Sequence, residues 1–323
     1  MKAATSPLII LASFFSSLAS GQSEDLTKYL PETRAFNKVA ASLPELDIST
    51  PQNLARTRAL FPNATKTVLT PHNKVIENIK VRIFRPDTIR AVIMQIHGGG
   101  FCIGSPEQDD GINDAMARAC KVALISVAYR LAPENAYPAQ VDDCETILAW
   151  LLKNSRSEFG VDKLILSGES AGSYLATMIL IRLRDKKVDI KNVVGLSLFY
   201  GSYDLSGTPS LRQDTSKIFI TRKFVSQLKE TIFPTRNPEQ LRDSTISPLF
   251  ASLSGLPSAI FSVGALDPLV DDTKFMAARW ESAGNQTTLR VYPESPHSFN
   301  RFPTQMANVA NNTVYKWINN LLR

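Results

Sequence analysis

Seven short apolar runs between residues 80 and 292, divided by helical or polar stretches, leave this chain few folds to choose from. "KVRIFRP" (80–86) alternates like a strand, while "AVIMQIHG" (91–98), "VALISVAY" (122–129), "LILSG" (164–168), "VVGLSLFY" (193–200), "AIFSVG" (259–264) and "TLRVY" (288–292) are compact and apolar. Such runs suit strands buried on both faces of a sheet. Helical patterns lie between them, in "AQVDDCETILAWLLKN" (139–154), "AGSYLATMILIRLRD" (171–185) and "DTKFMAARWESAG" (272–284), with a closing amphipathic stretch at 308–323. Strand, helix and strand in series predict an α/β architecture, a mostly parallel central sheet flanked by helices. Two segments break the alternation, about 22–62 and about 203–248, the second holding the amphipathic "RKFVSQLKETIF" (222–233). Long insertions at the C-terminal edge of a parallel sheet sit where ligands bind, so both are expected to form a helical cap. Residues 22–323 are read as one domain.

With 323 residues, 44% of them hydrophobic, the chain can bury a large core. Charged residues make up 20% with no long block of one sign, which argues against disorder away from the ends. The net charge is +6, but basic residues such as Lys186, Lys187, Arg222 and Lys223 are scattered. No zinc finger, RNA-recognition motif or basic helix accompanies them, so no nucleic-acid partner is expected.

The first 21 residues read as a secretory signal peptide: Lys2, then a short apolar stretch from Pro7 to Leu18, then small residues at Ala19-Ser20-Gly21. The stretch is short for a bilayer span. A secreted or secretory-pathway protein is the expectation, and the sequons at Asn63, Asn285 and Asn311 would then be glycosylation acceptors. Of the three cysteines, Cys102, Cys120 and Cys144, an odd count cannot pair completely, and no Cys-x-x-Cys or His-rich cluster suggests a metal. A strand over 122–129 climbs about 25 Å at roughly 3.3 Å per residue. The helix after it descends only about 9 Å before Cys144, at about 1.5 Å per residue. Disulfides need Cα atoms within about 7 Å, so no Cys120–Cys144 bridge is expected.

"GESAG" (168–172) ends one strand run and opens a helix, the context in which Gly-x-Ser-x-Gly is a nucleophile elbow. Ser170 would sit in a strained turn, with Gly168 and Gly172 avoiding clashes and the helix N-terminus near the reacting oxygen. The bland alternative is Ser170 as an ordinary helix N-cap. A serine nucleophile needs a base. The chain has three histidines. His72 stands in an expected loop with no motif around it and is read as a surface residue. His97 opens the glycine run, and His297 follows the last strand run. The order Ser, acid, His then asks for an acid after an intermediate strand, and Asp267 stands there, to hold the imidazole tautomer. Asp271 and Asp272 are rivals, read as capping and first-turn charges of the next helix. Acyl transfer generates an oxyanion that needs preorganised donors. In "HGGGF" (97–101), Gly98 and Gly99 offer bare N–H groups, beside Gly100, and Ala171 offers another. A phosphate-binding glycine loop would need spacings that are missing.

With "HGGGF" (97–101), "YRLAPENAYPAQVDD" (129–143), "GESAG" (168–172), "DPLVDD" (267–272) and "PHSF" (296–299) in this order, residues 75–302 resemble the hormone-sensitive-lipase branch of the α/β-hydrolases, the bacterial and arylacetamide-deacetylase-like carboxylesterases. The resemblance implies an α/β-hydrolase fold with a helical cap, Ser170 as nucleophile, Asp267 as acid and His297 as base. It also implies Gly98, Gly99 and Ala171 as oxyanion donors, no cofactor, and a small-molecule ester as substrate. Arg130 and Glu134 are expected to pair, and Asp142 or Asp143 to tie the following helix to the elbow region. Glu169 either tunes the site by hydrogen bonding or serves only as an elbow residue. The chain departs from the family at Ser298, where glycine often follows the histidine, and at Ser173-Tyr174, where Gly-Asn often follows the elbow. The reading is a serine carboxylesterase for short-to-medium acyl esters. An amide or formamide hydrolase with the same triad is the alternative, and a catalytically silent ligand receptor a more distant one.

Overall fold

The computed structural model describes residues 25–61 and 66–323. The expected signal peptide and Asn63 lie outside the described residues. Eight strands form one sheet: β1 (His72–Ile76), β2 (Ile79–Phe84), β3 (Val92–Ile96), β4 (Ala123–Val127), β5 (Leu164–Glu169), β6 (Val193–Phe199), β7 (Ser258–Gly264) and β8 (Thr287–Tyr292). Their order is β1-β2-β4-β3-β5-β6-β7-β8. β2 pairs antiparallel with both β1 and β4, and all other pairs are parallel.

Nine helices lie among the described residues: α1 (Leu30–Ala40), α2 (Pro51–Ala59), α3 (Asp110–Cys120), α4 (Ala139–Phe159), α5 (Ala171–Asp185), α6 (Pro209–Gln213), α7 (Arg222–Ile232), α8 (Val270–Ser282) and α9 (Gln305–Leu321). Strand residues alternate between two cores. Val92, Met94 and Ile96 of β3 face the layer built by α4, α5 and α8, while Ile93 faces the layer of α3 and α9. β3 and β4 are buried throughout, as their largely apolar sequences require, with Gln95 and Ser126 the buried polar exceptions.

This sandwich also separates the cysteines. Cys120 belongs to the α3–α9 layer, Cys102 and Cys144 to the other, and all three are free. The sheet itself stands between Cys120 and Cys144, a stronger barrier than the difference in height. The outer strands read less well from sequence. β1, His72–Ile76, is a strand where a loop was expected, and exposed His72 starts it. β8 is an edge strand with Leu289, Arg290 and Val291 exposed, not a strand buried on both faces.

β3 lies between β4 and β5, so the chain leaves it in opposite directions. Such a switch point opens a crevice at the strands' C-terminal ends. In register, Gln95 faces Ser167 and Ile96 faces Gly168, which brings "HGGGF" and "GESAG" out of the sheet side by side.

Candidate active site

Ser170 takes φ +53° and ψ −118°, a left-handed strain for a residue with a Cβ. The elbow is held from both sides. A Cβ on Gly168 would stand 2.4 Å from the carbonyl of Gly172, and one on Gly172 would stand 1.9 Å from the oxygen of Ile96. Ser170 occupies the N-cap position of α5 but makes no side-chain cap bond. Its Oγ lies 3.0 Å from Nε2 of His297 instead. His297 Nδ1 lies 2.8 Å from Oδ2 of Asp267, and both side chains are buried. Asp267 follows β7 and His297 follows β8. Their loops meet where Leu266 donates its N–H to the carbonyl of Ser295, close to Gly264, which leaves no room for a Cβ. Ser170, His297 and Asp267 are thus brought into one hydrogen-bonded chain from three strand ends.

The glycine loop closes over the serine. A Cβ on Gly98 would lie 3.0 Å from the carbonyl oxygen of Glu169 and 3.4 Å from Cβ of Ser170. Gly99 adopts φ +102°, and its carbonyl accepts from Cys102 and Ile103. The N–H groups of Gly98, Gly99 and Ala171 donate to no other backbone group among the described residues. Gly100 lies under Leu228 of α7. His97 is engaged elsewhere in the loop, not with the serine. Its ring stacks on Tyr129 at 4.2 Å, its Nδ1 lies 2.7 Å from the carbonyl of Gly98, and burial lowers its pKa. It shapes the loop.

Several expected pairings resolve differently. Arg130 does not pair with Glu134. It binds Asp143, whose carboxylate also accepts the Arg130 N–H. Glu134 binds Arg58 of α2 instead. A side chain one turn into α4 can reach back to the loop before it more easily than a loop glutamate can. Asp142 reaches Arg182 of α5, so it ties α4 to the helix that follows the elbow. Asp271 and Asp272 lie in the first turn of α8 but do not cap it. Asp272 accepts from the N–H groups of Tyr203 and Asp204 and from Thr208 Oγ1, and Asp271 accepts from the Ser210 N–H. The two carboxylates pin the start of the 203–248 segment. Burial raises the Asp272 pKa to about 7.

Glu169 is more than an elbow residue. Buried beneath Ser170, it accepts from Tyr200, Asn300 and Arg301. Sequence reasoning missed Tyr200, whose ring centroid lies 4.5 Å from that of His297. Its signal was topological: it directly follows β6, the neighbour of β5, and so falls beside the elbow. Arg58 gave no signal at all. It donates to the carbonyls of Cys102 and Ala132 and, in bidentate fashion, to Glu134. Of the departures, Ser298 takes φ +61°, a conformation glycine adopts at lower cost. Ser173 Oγ donates to the carbonyls of Gly168 and Phe199, and Tyr174 donates to that of Ile246. The remaining sequon side chains are engaged, Asn285 with Leu253 and Asn311 with Asn300.

Above the serine lies a cavity of about 570 Å³. Leu46 and Phe61 from the first interrupting segment, and Phe219, Phe224 and Leu228 from the second, line it.

Sheet order, elbow and flanking helices together define an α/β-hydrolase fold. A family model described as the alpha/beta hydrolase fold matches residues 93–301. A carboxylesterase of Mycobacterium tuberculosis is 30% identical over 236 residues, covering 70% of this chain and 73% of that protein. An acetyl esterase of Salmonella paratyphi B is 25% identical over 274 residues, covering 80% and 82%. Among solved structures, a hormone-sensitive lipase from a metagenome library superposes with a TM-score of 0.78 at 27% identity, covering 90% of this chain and 98% of that one. The chain belongs to the α/β-hydrolase family, on its hormone-sensitive-lipase-like branch.

Proposed function

We propose that this protein is a carboxylic ester hydrolase acting on short-to-medium acyl esters through a covalent acyl-enzyme. The hydrogen-bonded chain from Ser170 through His297 to Asp267 carries the reading. Ser170 attacks the ester carbonyl while His297 takes its proton, and Asp267 stabilises the imidazolium. The tetrahedral oxyanion is held by the N–H groups of Gly98, Gly99 and Ala171. His297 returns the proton to the departing alcohol. Water, deprotonated in turn by His297, then attacks the acyl-enzyme and releases the acid. The strained elbow serves this chemistry by presenting Oγ at the strand end without a conformational search.

Both interrupting segments act as a cap, and the cavity they bound favours short chains. The decisive experiment is a panel of nitrophenyl esters of graded chain length beside a matched anilide. Fastest turnover on the short esters supports the reading. Faster turnover on emulsified long-chain triglyceride, or preference for the anilide, would overturn it. The leading 21 residues export the protein in this reading, and N-terminal sequencing of the mature chain tests that: a mature protein that still begins at Met1 would contradict it.

A further inference from the structure

The cavity wall beside the nucleophile carries charge that ester cleavage does not use. Asp109, just ahead of α3, and Arg301, four residues beyond His297, both line the cavity. Arg301 Nη1 lies 2.7 Å from Asp109 Oδ1, and its Nε donates to Glu169. Asp109 is only 3% exposed, yet its Oδ2 has no hydrogen-bond partner among the described residues. A buried carboxylate oxygen without a donor is unfavourable, so the site is built to receive one. The Arg301 side chain keeps 27% of its exposure, and a guanidinium has five N–H donors, more than these two contacts use. Burial works against its charge, but Asp109 and Glu169 outweigh it and raise its pKa, so it stays a cation.

The chemistry of this wall selects its ligand. An ammonium group would meet Arg301. A second carboxylate would meet two carboxylates against one cation. An alkyl group would leave Asp109 Oδ2 unsatisfied. A hydroxyl fits on both counts, because it can accept from Arg301 and donate to Asp109. We propose that Asp109 and Arg301 form a subsite for a free hydroxyl near the scissile ester, which makes hydroxylated esters, rather than plain alkyl esters, the preferred substrate class. This inference rests on the ester-hydrolase reading above. The hydroxyl belongs to the acyl or to the alcohol portion, and the same wall chemistry serves either.

Two matched pairs test it on the full chain, each compared by kcat/KM: ethyl 3-hydroxybutyrate against ethyl butyrate, and glycerol 1-monobutyrate against propyl butyrate. A site built to bond a substrate hydroxyl rejects the analogue lacking it, so one pair should favour its hydroxylated member by about tenfold or more. The ratio should fall toward one in Asp109→Ala and in Arg301→Gln. Because it is a ratio within one preparation, a partly unfolded variant does not distort it. Ratios within about twofold of one for both pairs in the parent would overturn the subsite and leave the hydrolase reading standing, as would a preference unchanged in both variants. If no member of either pair were cleaved, the hydrolase reading would fall and the subsite with it.

Discussion

Gly172 faces the carbonyl oxygen of Ile96 so closely that a Cβ would stand 1.9 Å from it. The contact joins the first turn of α5, just after the elbow, to β3, the strand that carries the glycine loop. It is backbone against side-chain space, with no flexible group to yield. Gly172→Ala should therefore cost about 3 kcal/mol or more and abolish ester turnover. Gly111, near the start of α3, has nothing within 4 Å and no unusual φ. Gly111→Ala should stabilise by up to about 0.5 kcal/mol. Thermal melts of the two variants check the pair, and equal melting temperatures would contradict the account.

Ser170→Ala removes one oxygen from a residue held by the elbow, with no large side chain lost. The melting temperature should hardly change, while kcat for a butyrate ester should fall by several powers of ten. His297→Ala should cost a comparable factor, and the double variant little more, since the two groups act as one unit. Turnover of Ser170→Ala within about tenfold of the parent would remove Ser170 from the nucleophile role.

Arg58 holds the Cys102 carbonyl inside the glycine loop from outside the sheet, at 2.8 Å. Arg58→Ala should lower kcat by about tenfold to a hundredfold, by letting the donors drift, with a much smaller change in KM. Arg58→Lys should recover only part of the loss, because an ammonium cannot reproduce the bidentate bond to Glu134 and reach both carbonyls. Equal rises in KM with kcat unchanged would assign Arg58 to substrate binding instead.

Asp272 makes stability depend on pH. Its folded pKa of about 7 lies above the ordinary carboxylate value, so between about pH 4 and 7 the folded chain binds more of this proton than the unfolded chain. Stability from this group is therefore greatest at low pH and declines as pH rises through 7. In Asp272→Asn the amide can donate to Thr208 while its oxygen keeps the Tyr203 and Asp204 N–H groups. Melts at pH 5, 6, 7 and 8 should show the variant gaining on the parent as pH rises. A constant difference across that range would refute the assignment.

What sequence reasoning could reach was governed by range. β3, β4 and β5 were legible because strands buried on both faces are predominantly apolar, interrupted here only by Gln95, Ser126 and the Ser167-Gly168-Glu169 end of β5. β1, "HNKVI", was not, since an exposed edge strand need satisfy only one neighbour. Ser170, His297 and Asp267 were legible because each follows a strand in a fixed order. The partners of Arg130, Glu134 and Asp272 were not. They depend on which loops the folded sheet brings together, and several acidic residues stood at plausible distances along the chain. Arg58 and the Asp109–Arg301 pair stand outside the motifs, and only the folded cavity gives their positions meaning.

Leu228 of the roof helix rests on Gly100, within 2.4 Å of where a Cβ would be. The helix that roofs the cavity therefore touches the loop that carries the proposed oxyanion donors. Selection for a larger acyl group, in nature or in a directed-evolution campaign, would tend to trim Leu228 and loosen that loop in the same step. On the proposed mechanism, breadth of substrate and speed are mechanically linked at this point. The easier route to new specificity runs through Phe219 or Phe61, two rings that line the cavity and pack edge-on against each other.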